Sequence, residues 1–219
     1  MRAAIIVFPG SNCDHDAYYV IRKILNKDVD FIWHKEGSLA NYDFILVPGG
    51  FSYGDYLRAG AIARFSPIME EVIRCANNGT PVMGICNGFQ ILIESGLLPG
   101  ALINNKNVKF LSQNVTLKVV STNSIFTQEL SMGQKLDMPI AHRQGNFFAS
   151  DDLMEKLKDH DQVAFTYDEN PNGSMGDIAG IFNENRNVLG MMPHPERAAE
   201  NVLGSSDGLS IFESVIENM

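Results

Sequence analysis

Over its first hundred residues the chain alternates short apolar, β-prone runs with amphipathic stretches. This alternation restricts it to βαβ units, hence a parallel sheet covered on both faces. Residues 4–8 are a compact apolar run closed by Pro9-Gly10, as a buried parallel strand requires. A helix follows over about residues 15–26, capped by Asp14, with Ala17, Val20, Ile21, Ile24 and Leu25 on one face. Residues 29–33 and 44–47 are the next strands, the second stopped by Pro48-Gly49-Gly50. Ile68, Met69, Val72, Ile73 and Ala76 mark a second helix ending at Asn78-Gly79. A fourth strand, 81–85, runs directly into a helix carrying Phe89, Ile91, Leu92 and Ile93.

Between residues 108 and 142 the period shortens. Val115, Leu117 and Val119 alternate with polar neighbours, which predicts short antiparallel strands. A helix over 151–159, strands over 163–167, 178–182 and 188–192, and a last helix carrying Leu209, Ile211, Phe212, Val215 and Ile216 complete the pattern. The expectation is one α/β domain over residues 1–219. It is a three-layer sandwich on a mostly parallel central sheet, with a small antiparallel section around residues 108–142.

Composition narrows the function. The net charge of −9 argues against a nucleic-acid or membrane-surface role, both of which need a basic face. No apolar run reaches the roughly 18 residues of a bilayer span, and the apolar start is too short for a signal peptide. Three scattered cysteines make no disulfide framework. A cytoplasmic protein is expected.

The sharpest local feature is Gly84-Ile85-Cys86-Asn87-Gly88 at a strand–helix junction, the form of a nucleophile elbow. The glycines allow a tight turn that lifts the Cys86 sulfur above the sheet edge. The helix N-terminus beneath favours the thiolate, the reactive species. A thiolate nucleophile needs a base and a group to orient that base. His194, in Pro193-His194-Pro195-Glu196-Arg197, follows a predicted strand, and in extended chain Glu196 at i+2 lies on the same side to hold its imidazole. Cys86, His194 and Glu196 are the triad candidates.

Among the other histidines, His15 and His160 lie on predicted surface helices, and His34 has no carboxylate at i+2. His142, in Ala141-His142-Arg143-Gln144-Gly145, is a candidate to line the same cleft. Cys13 and Cys75 lack flanking glycines, and Cys75 reads as core. Asn12 and Asp14 read either as a helix-capping loop or as functional residues, and the sequence leaves the two readings open. The glycines of Pro48-Gly49-Gly50-Phe51-Ser52-Tyr53-Gly54-Asp55 permit a backbone that turns N–H groups towards a cleft, as an oxyanion hole requires. No phosphate loop, Gly-x-Gly-x-x-Gly, Cys-x-x-Cys or His-Glu-x-x-His occurs, so the sequence supports neither a nucleotide nor a metal site.

Taken together, the glycine segment 48–58, the elbow 84–90, the late segment 190–197 and Pro9-Gly10-Ser11-Asn12-Cys13-Asp14 resemble the class I glutamine amidotransferases. The resemblance implies a flavodoxin-like sheet and hydrolysis of L-glutamine through a Cys86 thioester. It places the Gly50 and Asn87 N–H groups in the oxyanion hole, and Ser52, Gln90, Ala141 and Arg143 at the bound glutamine. It also implies that the ammonia passes to a large synthetase subunit, accompanied by a small accessory subunit. That synthetase would convert formylglycinamide ribonucleotide to the amidine, with ATP and Mg on the synthetase and no cofactor on this chain. The alternative is a glutaminase subunit serving another ammonia-using synthetase. PfpI-like hydrolases are disfavoured because they place a histidine directly after the cysteine, where this chain has Asn87. One segment departs from the family, which usually has Ala-His-Gly-Glu-Gly where this chain has 141–145. A left-handed backbone is therefore expected of Arg143, and a partner-facing charge is missing at Gln144.

Overall fold

In the computed structural model, which describes residues 1–219, four strands from the first hundred residues run parallel and form one end of the main sheet. They are β1 (Arg2–Val7), β2 (Asp28–Trp33), β3 (Phe44–Val47) and β4 (Val82–Ile85). In β1, β3 and β4 the apolar runs do not alternate because both faces are covered: Ala3, Ala4, Ile5 and Ile6 in β1 and every residue of β3 and β4 are buried, whereas the edge strand β2 alternates. The remaining strands are β5 (Ala101–Ile103), β6 (Leu111–Val119), β7 (Lys135–His142), β8 (Asn146–Phe148), β9 (Val163–Tyr167), β10 (Ile178–Phe182) and β11 (Val188–Met191). Nine of the eleven strands form one sheet in the order β2-β1-β3-β4-β11-β10-β9-β6-β7.

The expected α/β class holds, and the antiparallel part is larger than the sequence suggested. Neighbours from β2 to β11 pair parallel, whereas β11-β10, β10-β9, β9-β6 and β6-β7 pair antiparallel. The 108–142 hairpin does not stand apart; β6 joins the main sheet through β9. A separate two-stranded sheet, β5 with β8, escaped the sequence reading because three-residue strands carry no period.

The helices are α1 (Asp14–Tyr19), α2 (Pro67–Asn77), α3 (Asn87–Glu94), α4 (Asp151–Asp159) and α5 (Leu209–Glu217). None is long and apolar enough to cross a membrane. Asp14 is the first helical residue and not the cap, which is Cys13. The register is set from outside the helix, by the Cys13 N–H donating to Gly49 O (3.3 Å). The predicted helix over 15–26 is only half α-helical, because a π-turn at Val20–Ile24 replaces its last turns.

What positions the elbow is the seating of α3 directly on the ends of β3 and β4. A Cβ on Gly88 would lie 1.8 Å from Val47 O, and one on Gly84 would lie 2.8 Å from the Gly88 backbone. On the next strand, the Phe89 ring lies over Gly190, where a Cβ would come within 2.1 Å of it. Gly88→Ala should therefore lift α3 off the sheet at a cost of about 1–3 kcal/mol. The expected readout is a midpoint of thermal unfolding lower by several degrees.

Candidate active site

Cys86 sits between β4 and α3 with φ 50° and ψ −105°. This conformation is strained for a residue with a side chain, by about 1–3 kcal/mol. Two hydrogen bonds hold it: Cys86 N–H donates to Met191 O (2.8 Å) and Gln90 N–H donates to Cys86 O (3.2 Å). The thiol donates to Ala141 O at 3.6 Å. Cys86 lines a cavity of about 400 Å³, whose wall also includes Gly50, Asp55, Gln90, Ala141, His142 and Arg143.

His194 follows β11, and its N–H donates to Pro139 O on β7 (2.9 Å). The imidazole is buried, and Nδ1–H donates to Glu196 Oε1 at 2.6 Å. The two residues meet as the spacing predicted, although through a different backbone: Pro195–Arg197 is a 3₁₀ turn, not extended chain. Burial pulls the His194 pKa down. The Glu196 carboxylate and the nearby Cys86 and Cys13 thiols outweigh it and raise the value well above that of free histidine. Nε2 of His194 has no formed hydrogen bond.

The N–H groups of Gly50 and Asn87 make no hydrogen bond within the chain, and Gly50 is on the cavity wall. Gly50 has φ +143°, and a Cβ there would come within 2.8 Å of Asn12 N. Residues 10–13 thus brace the glycine turn, with Phe51 N–H donating to Gly10 O (3.0 Å).

The four expected glutamine contacts divide. Gln90, Ala141 and Arg143 line the cavity. Ser52 does not: it is buried behind the wall, its N–H donating to Asn87 Oδ1 (3.0 Å). Asn87 Nδ2 in turn donates to Gln90 Oε1 (2.9 Å), and Gln90 Nε2 donates to Gln144 O (2.7 Å). Arg143 does not need the left-handed backbone expected of it, since it is absent from the residues with positive φ. Gln144 turns inward, accepting from Ala59 N–H (3.1 Å).

His142 lines the cavity, and Nδ1–H donates to Asn105 Oδ1 at 3.1 Å. Burial first, and the charge of His194 second, pull its pKa down to about 4, so its ring is neutral at working pH. His34 is a buried structural residue bonded to the Tyr53 hydroxyl (2.9 Å), and His15 lies exposed beside Asp14. Cys75 is core, as read.

Two residues escaped the sequence reading. Cys13 is buried beside the His194–Glu196 pair, its thiol donating to Asn12 Oδ1 and its sulfur accepting from Arg197 Nη2, both at 3.1 Å. Asp55 is half-buried on the cavity wall, and burial with no offsetting cation pushes its carboxyl up to about 6. Neither residue lies in a motif with catalytic spacing. Both lie within segments that carry the family resemblance, residues 9–14 and 48–58, but only three-dimensional proximity singles them out there.

The profile of the CobB/CobQ-like glutamine amidotransferase domain matches residues 1–207. The chain belongs to the class I glutamine amidotransferases. A solved structure of PurLQS from Thermotoga maritima is 43% identical to it over 99% of this chain and 98% of that one, with a TM-score of 0.92. A glutamine amidotransferase from the same organism (17% identity, 100% and 97% coverage, TM-score 0.64) shares the fold alone. So does the glutaminase domain of Trypanosoma brucei CTPS, solved with bound acivicin (14% identity, 99% and 94% coverage, TM-score 0.61). This amidotransferase is of the PurQ type, an enzyme that hydrolyses glutamine.

The Asp55 carboxylate of this amidotransferase, which accepts one long hydrogen bond from Asn87 Nδ2 (3.4 Å) and has no cation beside it, is disfavoured in the folded state. Its folded pKa of about 6 exceeds the unfolded value of about 3.9, so stability is lower above pH 6 and recovers as the pH falls through 6 towards 4. Asp55→Asn should raise the thermal midpoint by a few degrees at pH 7.5 and have no effect at pH 4.

Proposed function

We propose that this amidotransferase, acting as one domain over residues 1–219, is the glutaminase subunit of phosphoribosylformylglycinamidine synthase. Cys86 Sγ attacks the side-chain amide carbon of glutamine while His194 Nε2 takes the thiol proton. The tetrahedral oxyanion is received by the free N–H groups of Gly50 and Asn87. His194 passes its proton to the leaving nitrogen, ammonia departs and a γ-glutamyl thioester remains. Water then gives a proton to His194 and attacks the thioester, releasing glutamate and returning the proton to sulfur. Glu196 holds the imidazole by Nδ1 and stabilises its cation (2.6 Å). The observation that carries the reading is the strained Cys86 backbone, which sets the sulfur on the cavity wall between a buried His–Glu pair and two uncommitted N–H groups.

The cavity suits an α-amino acid. Its wall offers the Asp55 carboxylate, which lacks a cation, and the exposed Arg143. We assign Asp55 to the α-ammonium of glutamine and Arg143 to the α-carboxylate, with Ala141 and Gln90 shaping the pocket between them. Nothing in the sequence provides a nucleotide site, so the ATP and Mg that activate the acceptor belong to the large synthetase subunit, with a small accessory subunit completing the complex. Tyr56, Leu57 and Phe65, 70%, 80% and 74% exposed on the segment that carries Asp55, are the apolar side chains such a partner would cover. Cytoplasmic location is part of this reading.

Glutamate release should be weak for the chain alone and strongly stimulated by the synthetase, small subunit, formylglycinamide ribonucleotide and ATP-Mg. Cys86→Ser should abolish it. Failure of the full complex to stimulate a chain whose Cys86 still reacts with a glutamine-analogue electrophile would point to a different synthetase.

Asp55→Asn should raise the KM for glutamine by about tenfold or more, the loss of one charge-assisted contact of roughly 1.5–3 kcal/mol, with a much smaller effect on kcat. The parent KM should fall as the pH rises through about 6, where the Asp55 carboxyl ionises. That pH dependence should vanish in the variant.

A further inference from the structure

β7 ends at His142, and Arg143 and Gln144 continue the cavity wall beyond the strand. The loop joining β5 to β6 meets them there, and its Asn104 and Phe110 line the same cavity. The Phe110 ring packs on that of Phe51, next to the glycine turn, with centroids 6.5 Å apart. Two loops distant in sequence thus share one wall, and the residue at their seam is Asn105.

Asn105 is buried, and every hydrogen-bonding group it has is used. Its backbone N–H donates to Arg143 O (2.9 Å), and its carbonyl accepts from Val108 N–H (2.8 Å). Side-chain Nδ2 donates to Lys109 O and to His142 O, both at 2.9 Å. Oδ1 accepts from Gly145 N–H and from His142 Nδ1–H, both at 3.1 Å. A side-chain amide has two donor hydrogens and two acceptor lone pairs, and all four are filled. The two carbonyls identify which end of the amide is nitrogen. Oδ1 therefore faces the ring, the proton of the neutral imidazole lies on Nδ1, and Nε2 is an acceptor with no partner within the chain. Gly145 closes over the ring, where a Cβ would come within 2.3 Å of it.

We propose that Asn105 is a positioning residue for glutamine hydrolysis, tying the Phe110 loop to segment 141–145 and holding the His142 imidazole in the single tautomer whose Nε2 accepts. The positioning role rests on the assignment of Ala141 and Arg143 to bound glutamine above, whereas the tautomer does not. Only an amide suits the place. Alanine would leave two carbonyls, an N–H and a ring nitrogen unpaired in a buried position. Aspartate would set a carboxylate against two carbonyls and would give His142 the kind of partner that makes His194 basic. With Asn105 in place, burial and the charge of His194 keep the His142 ring neutral, so one imidazole at this cavity carries the proton. The wall must be placed closely because a small displacement takes the amide carbon of glutamine out of reach of the Cys86 sulfur.

The tautomer is read on the parent chain by nitrogen-15 NMR of labelled histidine at pH 7.5, with the His142 signals assigned by their loss in His142→Gln. Nδ1 should be protonated and Nε2 bare. On the assembled complex, Asn105→Ala should raise the KM for glutamine about tenfold or more, with a much smaller effect on kcat. Asn105→Ser is the second variant, and circular dichroism checks the folding of both. In the isolated chain, labelling of Cys86 by a glutamine-analogue electrophile should slow by a similar factor. Labelling by iodoacetamide, which needs no amino-acid subsite, should keep the parent rate. Asn107→Ala removes one bond from the exposed part of the same loop (Lys109 N–H to Asn107 Oδ1, 3.0 Å) and should behave as the parent. An Nε2–H or cationic His142 ring, an unchanged KM in both Asn105 variants, or equal slowing of the two electrophiles would overturn the proposal while the functional reading stands. A parent with the expected tautomer that neither reacts with the analogue nor hydrolyses glutamine in the complex would overturn the functional reading, and with it the part of Asn105 in that reaction.

Discussion

Everything chemical in this molecule depends on how closely α3 sits against the ends of β3 and β4. With glycine at 84 and 88, helix backbone approaches strand backbone to a distance no side chain tolerates, and the chain between them must turn within one residue. That residue is Cys86, held at φ 50° by bonds from its own N–H and carbonyl to β11 and α3. The strain is local and the rest of the sheet outweighs it. The same turn leaves the Asn87 N–H without an acceptor and brings the sulfur beside it. The nucleophile and the oxyanion donor proposed here are thus consequences of one packing contact.

The second constraint is electrostatic. Removing the His194–Glu196 pair from water costs both charges their hydration, and their 2.6 Å contact compensates only because the geometry is close. The imidazole thereby becomes a stronger base than free histidine, while His142, equally buried and without a carboxylate, is pushed the other way to about 4. Two histidines near one cavity are separated in role by the presence of a single acid. Asp55 shows the same logic in reverse: a carboxylate without a cation is an incomplete pair, which the α-ammonium of the proposed amino-acid substrate would complete.

The apolar runs of β1, β3 and β4, the elbow and the His194–Glu196 spacing were legible in sequence because each depends on neighbours within a few residues. The π-turn after α1 and the start of α1 at Asp14 were not, since contacts to Gly49 and the packing of the β1 loop override local capping preference. That Ser52 is absent from the cavity wall was not legible either, since its N–H is held by Asn87, thirty-five residues away. For Arg143, glycine in the family pattern suggested a left-handed backbone that the fold does not require.

The sequence by itself determined the α/β class, the order of most elements and the place of the Cys86 turn, because hydrophobic period and glycine placement act locally. Tertiary structure alone decided that the hairpin extends the main sheet, that Asp55 faces the cavity without a cation and that Cys13 stands beside His194. Those facts arise where strand ends distant in sequence converge, and the electrostatics of a buried group depend on what surrounds it in space, whatever its position along the chain.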